Sequence, residues 1–190
     1  MLTALLGYLL LVVFAVSERF LRQGDAARSF DATASDQGTT RLVGAAWAAS
    51  IGLGLLAPVL ARAGPGRIVD TRWPKLGLGL MVMGLGLKWW AMRTLGRFYT
   101  RTLRARADQP VVEGGPYRYV RHPGYLGAVL MWLGFSLTTR HWLAVLGITL
   151  WMVVAYTRRV SAEETMLVQT LGAPYAAYQR RTARLLPGAY

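Results

Sequence analysis

The chain contains no cysteine, only two histidines and only nine acidic residues. The first absence excludes disulfides, thiolate nucleophiles and cysteine-held zinc or iron–sulfur centres. His122 and His141 are too few for a histidine-rich metal centre, and no H-E-x-x-H motif occurs, so no metal site is expected. Charge is sparse altogether, at 16% of residues against 54% hydrophobic, and it is bunched rather than scattered. That pattern suits an integral membrane protein better than a soluble globule. The shortage of acids leaves a formal net charge of +13. Nucleic acid is not the expected partner, because a nucleic-acid binder has no need of five apolar runs. Arg93, Arg97, Arg101, Arg104, Arg106, Arg118 and Arg121 are opposed locally only by Asp108 and Glu113. They read as a positive-inside segment facing anionic lipid headgroups.

Five apolar runs give the organisation. Residues 1–17 are uncharged and lack the basic start and clean small-x-small site of a signal peptide, so a retained helix is expected. A polar loop at 22–41 precedes a second run at 42–61. Residues 62–75 form a turn region with Gly64-Pro65-Gly66 and Trp73-Pro74. The third run, 76–92, repeats glycine every seven residues, at 77 and 84 and at 79 and 86, which places a small stripe for close helix packing. These glycines do not make a G-x-G-x-x-G after a strand, so no Rossmann nucleotide site is expected. Lys88, Trp89 and Trp90 mark the approach to the interface, where the lysine can snorkel.

Residues 93–122 read as a basic connector, part amphipathic helix and part loop. The runs 123–139 and 141–157, separated by Arg140 alone, predict a helical hairpin with Arg140 and His141 at its tip. Beyond it, Met166, Leu167, Leu171, Tyr175 and Tyr178 recur at helical spacing, and Gly172-Ala173-Pro174 divides the tail into two short helices. With the two large basic segments in the cytoplasm, the N-terminus, residues 62–75 and the hairpin tip lie outside. Arg62, Arg67, Arg72 and Lys75 conflict with that orientation but are outvoted by the two larger basic segments. The expected fold is therefore an all-α integral membrane protein of about five transmembrane helices, with a C-terminal hairpin and amphipathic cytoplasmic tail helices. Residues 1–190 form one membrane domain, the first two spans and loops occupying 1–75.

Two polar clusters at the membrane edge carry the chemistry. Gly115-Pro116-Tyr117-Arg118-Tyr119-Val120-Arg121-His122-Pro123-Gly124-Tyr125 enters the fourth run, where proline suits a helix's first turn. Arg158-Arg159-Val160-Ser161-Ala162-Glu163-Glu164 leaves the fifth, and Arg159 and Glu163 are i, i+4 neighbours on a helix starting there. Alone, the second cluster reads as a surface ion pair; facing the first across a hairpin, it reads as half of a site. Glu164 is expected to face elsewhere.

Gly115-Pro116-Tyr117-Arg118-x-x-Arg121-His122-Pro123-x-Tyr125-x-Gly127, then Glu163-Glu164-x-x-Leu167, then Gly172-x-x-Tyr175-x-x-Tyr178, resembles the isoprenylcysteine carboxyl methyltransferase family and the wider group containing phospholipid N-methyltransferases. The resemblance covers about residues 76–187 and makes 76–190 the methyltransferase-like core. It implies S-adenosylmethionine as cofactor, bound without a Rossmann fold, and an amphiphilic, lipid-like acceptor. It also implies that Gln109, Pro110, Val111, Val112, Tyr117, His122, Pro123, Gly124 and Tyr125 line the donor pocket. Glu163 would engage the donor's methionine portion and Arg159 the substrate. Gln109 stands where eukaryotic relatives carry histidine, and Leu171 where phenylalanine is usual.

Methyl transfer from a sulfonium needs orientation and water exclusion rather than a metal. A carboxylate acceptor needs a cation such as Arg159, whereas an amine or hydroxyl needs a base, His122 or Glu164. Two other readings stand beside this one: a nicotinamide-dependent membrane reductase resembling the sterol reductases, and a non-enzymatic lipid-binding protein. The arginine- and alanine-rich composition points to a bacterial plasma membrane, with the site facing the cytoplasm.

Overall fold

A computed structural model describes residues 2–21, 34–63, 65–100, 102–105 and 108–187. Most of the polar loop at 22–41, Gly64, Arg101 and Arg106 lie outside the described residues. The fold is all-α: α1 (Leu2–Leu21), α2 (Thr39–Ala63), α3 (Arg72–Leu95), α4 (Pro123–Thr138), α5 (Trp142–Leu171) and α6 (Ala173–Arg181). Short 3₁₀ turns occupy Ala34–Asp36, Gly96–Phe98 and Gly115–Arg118.

The first five helices alternate in direction. Phe14 meets Trp47 and Tyr8 meets Phe135, Gly84 packs on Gly127 and Gly77 on Gly134, and Trp47 bonds to Tyr156. Among the described residues three helices are long and apolar enough to cross a bilayer: α1, α2 and α5. The other two expected spans are less simple. α3 carries Lys75 and Lys88, and α4, at 16 residues, is only about 24 Å long. α5 runs unbroken for 30 residues, about 45 Å, so its end projects beyond a hydrocarbon layer of about 30 Å. Leu5, Leu9 and Val12 on α1, Leu55 and Val59 on α2, and Leu143, Leu146 and Leu150 on α5 are exposed, as lipid-facing positions must be. Inside, Trp132, Phe135, Met81, Met131, Ile148 and Met152 are buried together.

The most extensive contact is between α3 and α4, and glycine makes it possible. A Cβ on Gly77 would strike the carbonyl oxygen of Gly134, and one on Gly84 that of Gly127; the reciprocal contacts are equally tight. The seven-residue stripe expected at 77 and 84 is thus a true packing face. The companion pair is not: nothing lies within 4 Å of a Cβ on Gly79 or Gly86.

The hairpin tip falls at residues 139–141 as expected, with Arg140 at φ 60°. It docks on the α2–α3 loop, where Ile68 N donates to Arg140 O (2.9 Å), Trp142 N to Gly66 O (2.9 Å) and Arg140 Nη2 to Val69 O (2.8 Å).

Three expectations need correction. Lys88 does not snorkel; its side chain is 4% exposed and paired with Glu18 at 2.7 Å, because α3 continues inward to Leu95. The connector contains no amphipathic α-helix among its described residues, only 3₁₀ turns and extended chain after Leu95. Glu163 and Glu164 do not begin a new helix, since nothing between Trp142 and Leu171 stops α5. The tail therefore contributes one separate short helix, α6, after Gly172 at φ 62°.

Valine at Gly84 or Gly127 should lower the thermal midpoint in detergent by an overpacking cost of about 1–3 kcal/mol. Alanine at Gly79 or Gly86 should leave it unchanged or raise it, by up to about 1 kcal/mol from helix propensity. Equal effects at all four positions would contradict the assigned packing face.

Candidate active site

A cavity of about 360 Å³ opens where the ends of α1 and α3 meet the starts of α2 and α4 and the projecting part of α5. That size falls within the ~300–1,000 Å³ usual for small-molecule sites. Of the residues singled out from sequence, Gln109, Pro110, Val111, Val112, Tyr117, His122, Gly124, Tyr125, Arg159 and Glu163 all border it. Pro123 does not. It is buried at the first position of α4, where its fixed φ starts the helix. The apolar positions of the tail, Met166, Leu167, Leu171, Tyr175 and Tyr178, turn their face to the same cavity.

One chain of polar contacts runs along its wall. Tyr125 Oη donates to Glu163 Oε2 at 2.6 Å, and Arg159 Nε lies 3.4 Å from the same hydroxyl. The tyrosine thus joins the two residues expected to be neighbours on one helix face. Arg159 Nη1 also pairs with Asp36 Oδ1 and donates to the hydroxyls of Thr39 (2.9 Å) and Thr40 (2.8 Å). Arg159 is 4% and Asp36 1% exposed. Asp36 in turn accepts from Thr40 N at 3.0 Å and from Thr40 Oγ1 at 2.7 Å, so it also caps the start of α2. Burial would raise the Asp36 carboxyl, but the Thr40 hydrogen bonds and the Arg159 guanidinium outweigh it and hold it below the usual carboxylate range.

Glu164 points away from the cavity, as expected, yet it is no idle surface group. Its Oε1 accepts from Arg121 Nε and from His122 Nε2, both at 2.9 Å, and its Oε2 lies 3.0 Å from Arg184. Arg121 Nη1 also donates to the carbonyl oxygens of Gln179 (2.9 Å) and Thr182. Arg121 N and His122 N bond to Ala183 O and Arg184 O. The histidine motif is therefore clamped to α5 and to the chain after α6. Tyr178 Oη donates to Tyr117 O at 2.6 Å and closes this wall. Burial first, and nearby acidic groups and phenols second, push Tyr117, Tyr175 and Tyr178 well above the ordinary phenol range. They remain neutral donors at physiological pH.

The other half of the cavity was not found from sequence. Glu18, Thr40, Val43, Gly44 and Trp47 of the first two helices form it with Lys88 and Tyr156. Trp47 Nε1 donates to Tyr156 Oη at 3.0 Å. Lys88 within an apolar run was the available signal, since an ionisable group at membrane depth points to a site by default. Asp36 carried no comparable mark in a loop of similar polar residues.

Comparison with known proteins fits this division. The model of the phospholipid methyltransferase family matches residues 73–173, more than half of the chain. The chain belongs to that family. The matched segment holds α3, α4, α5 and the connector, while Glu18, Asp36 and Trp47 fall outside it. A probable protein-S-isoprenylcysteine O-methyltransferase of Oryza sativa subsp. indica is 28% identical over 114 residues, 59% of this chain and 60% of that protein. A steroid 5-alpha-reductase of Solanum lycopersicum is 33% identical over 75 residues, 38% of this chain and 28% of that protein. Among solved structures, the eukaryotic intramembrane Ras methyltransferase ICMT (isoprenylcysteine carboxyl methyltransferase) superposes with a TM-score of 0.63 at 22% identity. That likeness covers 77% of this chain and 53% of the other. The chain therefore spans about half to three fifths of the methyltransferase chains it matches, and the structural likeness establishes the integral-membrane fold.

The Asp36 shift has a testable sign. A carboxyl held below its unfolded value stabilises the fold fully above that value and loses the contribution as pH falls through the folded one. Asp36→Asn should therefore be less stable than the parent at pH 6, with the gap in thermal midpoint closing toward pH 3. A gap independent of pH would show that Asp36 is not ionised against Arg159.

Proposed function

We propose that the protein is an S-adenosylmethionine-dependent integral membrane methyltransferase acting on a lipid-like or prenylated acceptor, with methylation of a carboxylate oxygen as the favoured reaction. One observation carries the reading. A single cavity is bordered both by Glu163, Arg159 and the tyrosines of the family segment and by Val43, Gly44 and Trp47 of a helix long and apolar enough to cross a bilayer. The name of the rice relative supports it. Residues 76–190 form the donor-binding core in this reading, and residues 1–75 complete the acceptor side.

The residues present suit the donor. Glu163 offers a carboxylate to an ammonium, and Tyr117, Tyr125, Tyr175 and Tyr178 offer aromatic faces to a sulfonium and an adenine. Thr102 Oγ1 is buried on the cavity wall with no hydrogen-bond partner among the described residues, an orphan that a ligand polar group would satisfy. When bound, the donor supplies an electrophilic methyl group. The protein's part is to align the acceptor oxygen behind that methyl and to exclude water. Tyr125 fixes Glu163 and Arg159 relative to each other, so donor and acceptor contacts are set by one hydroxyl. A carboxylate acceptor is ionised at neutral pH and requires no base.

The short match to a steroid reductase favours a second reading, a nicotinamide-dependent membrane reductase. Calorimetric titration of the detergent-purified protein separates the two. S-adenosylmethionine should bind and NADPH should not, and Glu163→Gln should weaken donor binding by about 1.5–3 kcal/mol, the range for a hydrogen bond to a charged group. Arg159→Lys should keep donor affinity but depress turnover, since lysine lacks the planar fork. NADPH binding in place of the donor would select the reductase.

The site faces the cytoplasm of a bacterial plasma membrane in this proposal, with the basic face of Arg93, Arg97 and Arg118 toward anionic headgroups. Single cysteines introduced at Arg140 should react with an impermeant reagent in intact cells. Those at Asp108 and Gln179 should react only after permeabilisation; the opposite pattern would reverse the orientation.

A further inference from the structure

The cavity is bordered by a buried ion pair to which methyl-donor binding assigns no task. Lys88 sits on α3 with Nζ 2.7 Å from Glu18 Oε1 on the last turn of α1. Its Nζ also lies 4.7 Å from the ring centre of Phe14 and 5.8 Å from that of Tyr99. Removing two charges from water is costly, and a well-packed apolar pair would join α1 to α3 at least as firmly. An ionisable pair kept at this depth, bordering a cavity, marks a binding position.

Its place relative to the reacting groups follows from the aromatic side chains between them. The Tyr99 ring packs against Gly124, where a Cβ would lie 3.4 Å from it. The rings of Tyr125 and Tyr156 are 5.6 Å apart, and the Tyr125 hydroxyl holds Glu163 and Arg159. One layer of tyrosines therefore separates Lys88 from Arg159, and an anionic head among these rings lies between two cations. The two are held differently. Arg159 Nη1 is fixed by Asp36, Thr39 and Thr40 at the start of a 25-residue helix. Lys88 takes its carboxylate from a single residue, Glu18, on the last turn of α1.

We propose that Lys88 recognises the carboxylate of the acceptor, and that the Glu18 carboxylate occupies that position until the acceptor arrives. This rests on the methyltransferase reading and adds a specificity residue to it. The acceptor is an amphiphile with a carboxylate head, its chain lying along Val43, Gly44 and Trp47 toward the lipid. Exchange of one carboxylate for another at Lys88 keeps the buried ammonium paired throughout. A methyl ester carries no charge, so it cannot hold Lys88 against Glu18, and re-pairing of the two side chains favours product release.

The test compares two probes that differ only in that charge, N-acetyl-S-farnesylcysteine and its methyl ester, binding to the detergent-purified protein without donor. The parent should bind the acid more tightly than the ester. Glu18→Gln should strengthen acid binding about tenfold, and Lys88→Met should weaken it by about tenfold or more, toward the ester's level, as expected for a charge-assisted contact. Ester affinity should change in neither. Should Lys88→Met fail to fold, the Glu18→Gln/Lys88→Met double variant removes both charges of the pair and should bind acid and ester equally. A parent without preference for the acid, or an unchanged acid-to-ester ratio in either Lys88 variant, overturns the proposal. S-adenosylmethionine titration of the same preparations keeps the two readings apart. Loss of the acid preference with donor binding intact locates the effect at Lys88, whereas a parent that binds acid but no donor tells against the methyltransferase alone.

Discussion

Every charge near the hydrocarbon boundary of this protein must find a partner, and the site is assembled from the pairings that result. With so few acids in the chain, their placement decides which cations are held and where. Asp36 holds Arg159, Glu18 holds Lys88, and Glu164 gathers Arg121, His122 and Arg184. Glu163 takes a tyrosine hydroxyl instead and faces the cavity. The ion pairs fix the ends of α1 and α3, the starts of α2 and α4 and the projecting turns of α5 around one volume.

The packing that supports this arrangement is of a different kind. In lipid, apolar surface gives little drive for helix association, and close backbone approach takes its place. Gly77 and Gly84 against Gly134 and Gly127 bring α3 and α4 together. That contact brings Lys88 and Gly124 together beside Tyr99. The hairpin tip is anchored at the opposite end by its backbone bonds to the α2–α3 loop, so α5 is fixed at both ends and its projecting turns are held in register with the connector.

Much of this was legible in the sequence for reasons that are local. Apolar runs, the proline at the start of α4 and the glycine after Leu171 located helices and their ends, because each acts through its own backbone. The family resemblance implied most of the connector residues that border the cavity, Pro123 being the exception because it serves to start a helix. What could not be read was long-range pairing. Asp36 lies 123 positions from Arg159, and Glu18 is 70 positions from Lys88, so no periodicity links them. Glu164 beside Glu163 differs by one position on a helix, which was enough to foresee its direction but not that three basic side chains converge on it. Glycine spacing likewise could not tell the 77 and 84 pair, which packs, from the 79 and 86 pair, which does not.

The family segment supplies Glu163, Arg159, Tyr117 and Tyr125 of the cavity wall, and helices outside it supply Glu18, Val43, Gly44 and Trp47. A methyl group delivered to a carboxylic acid makes an ester, which base hydrolyses to volatile methanol. The most direct measurement is to incubate the purified protein with methyl-labelled S-adenosylmethionine and N-acetyl-S-farnesylcysteine, then treat the extract with base. The account predicts acceptor-dependent label released as methanol. Label fixed in a base-stable form, or no transfer while NADPH is consumed in a parallel reaction, would contradict it.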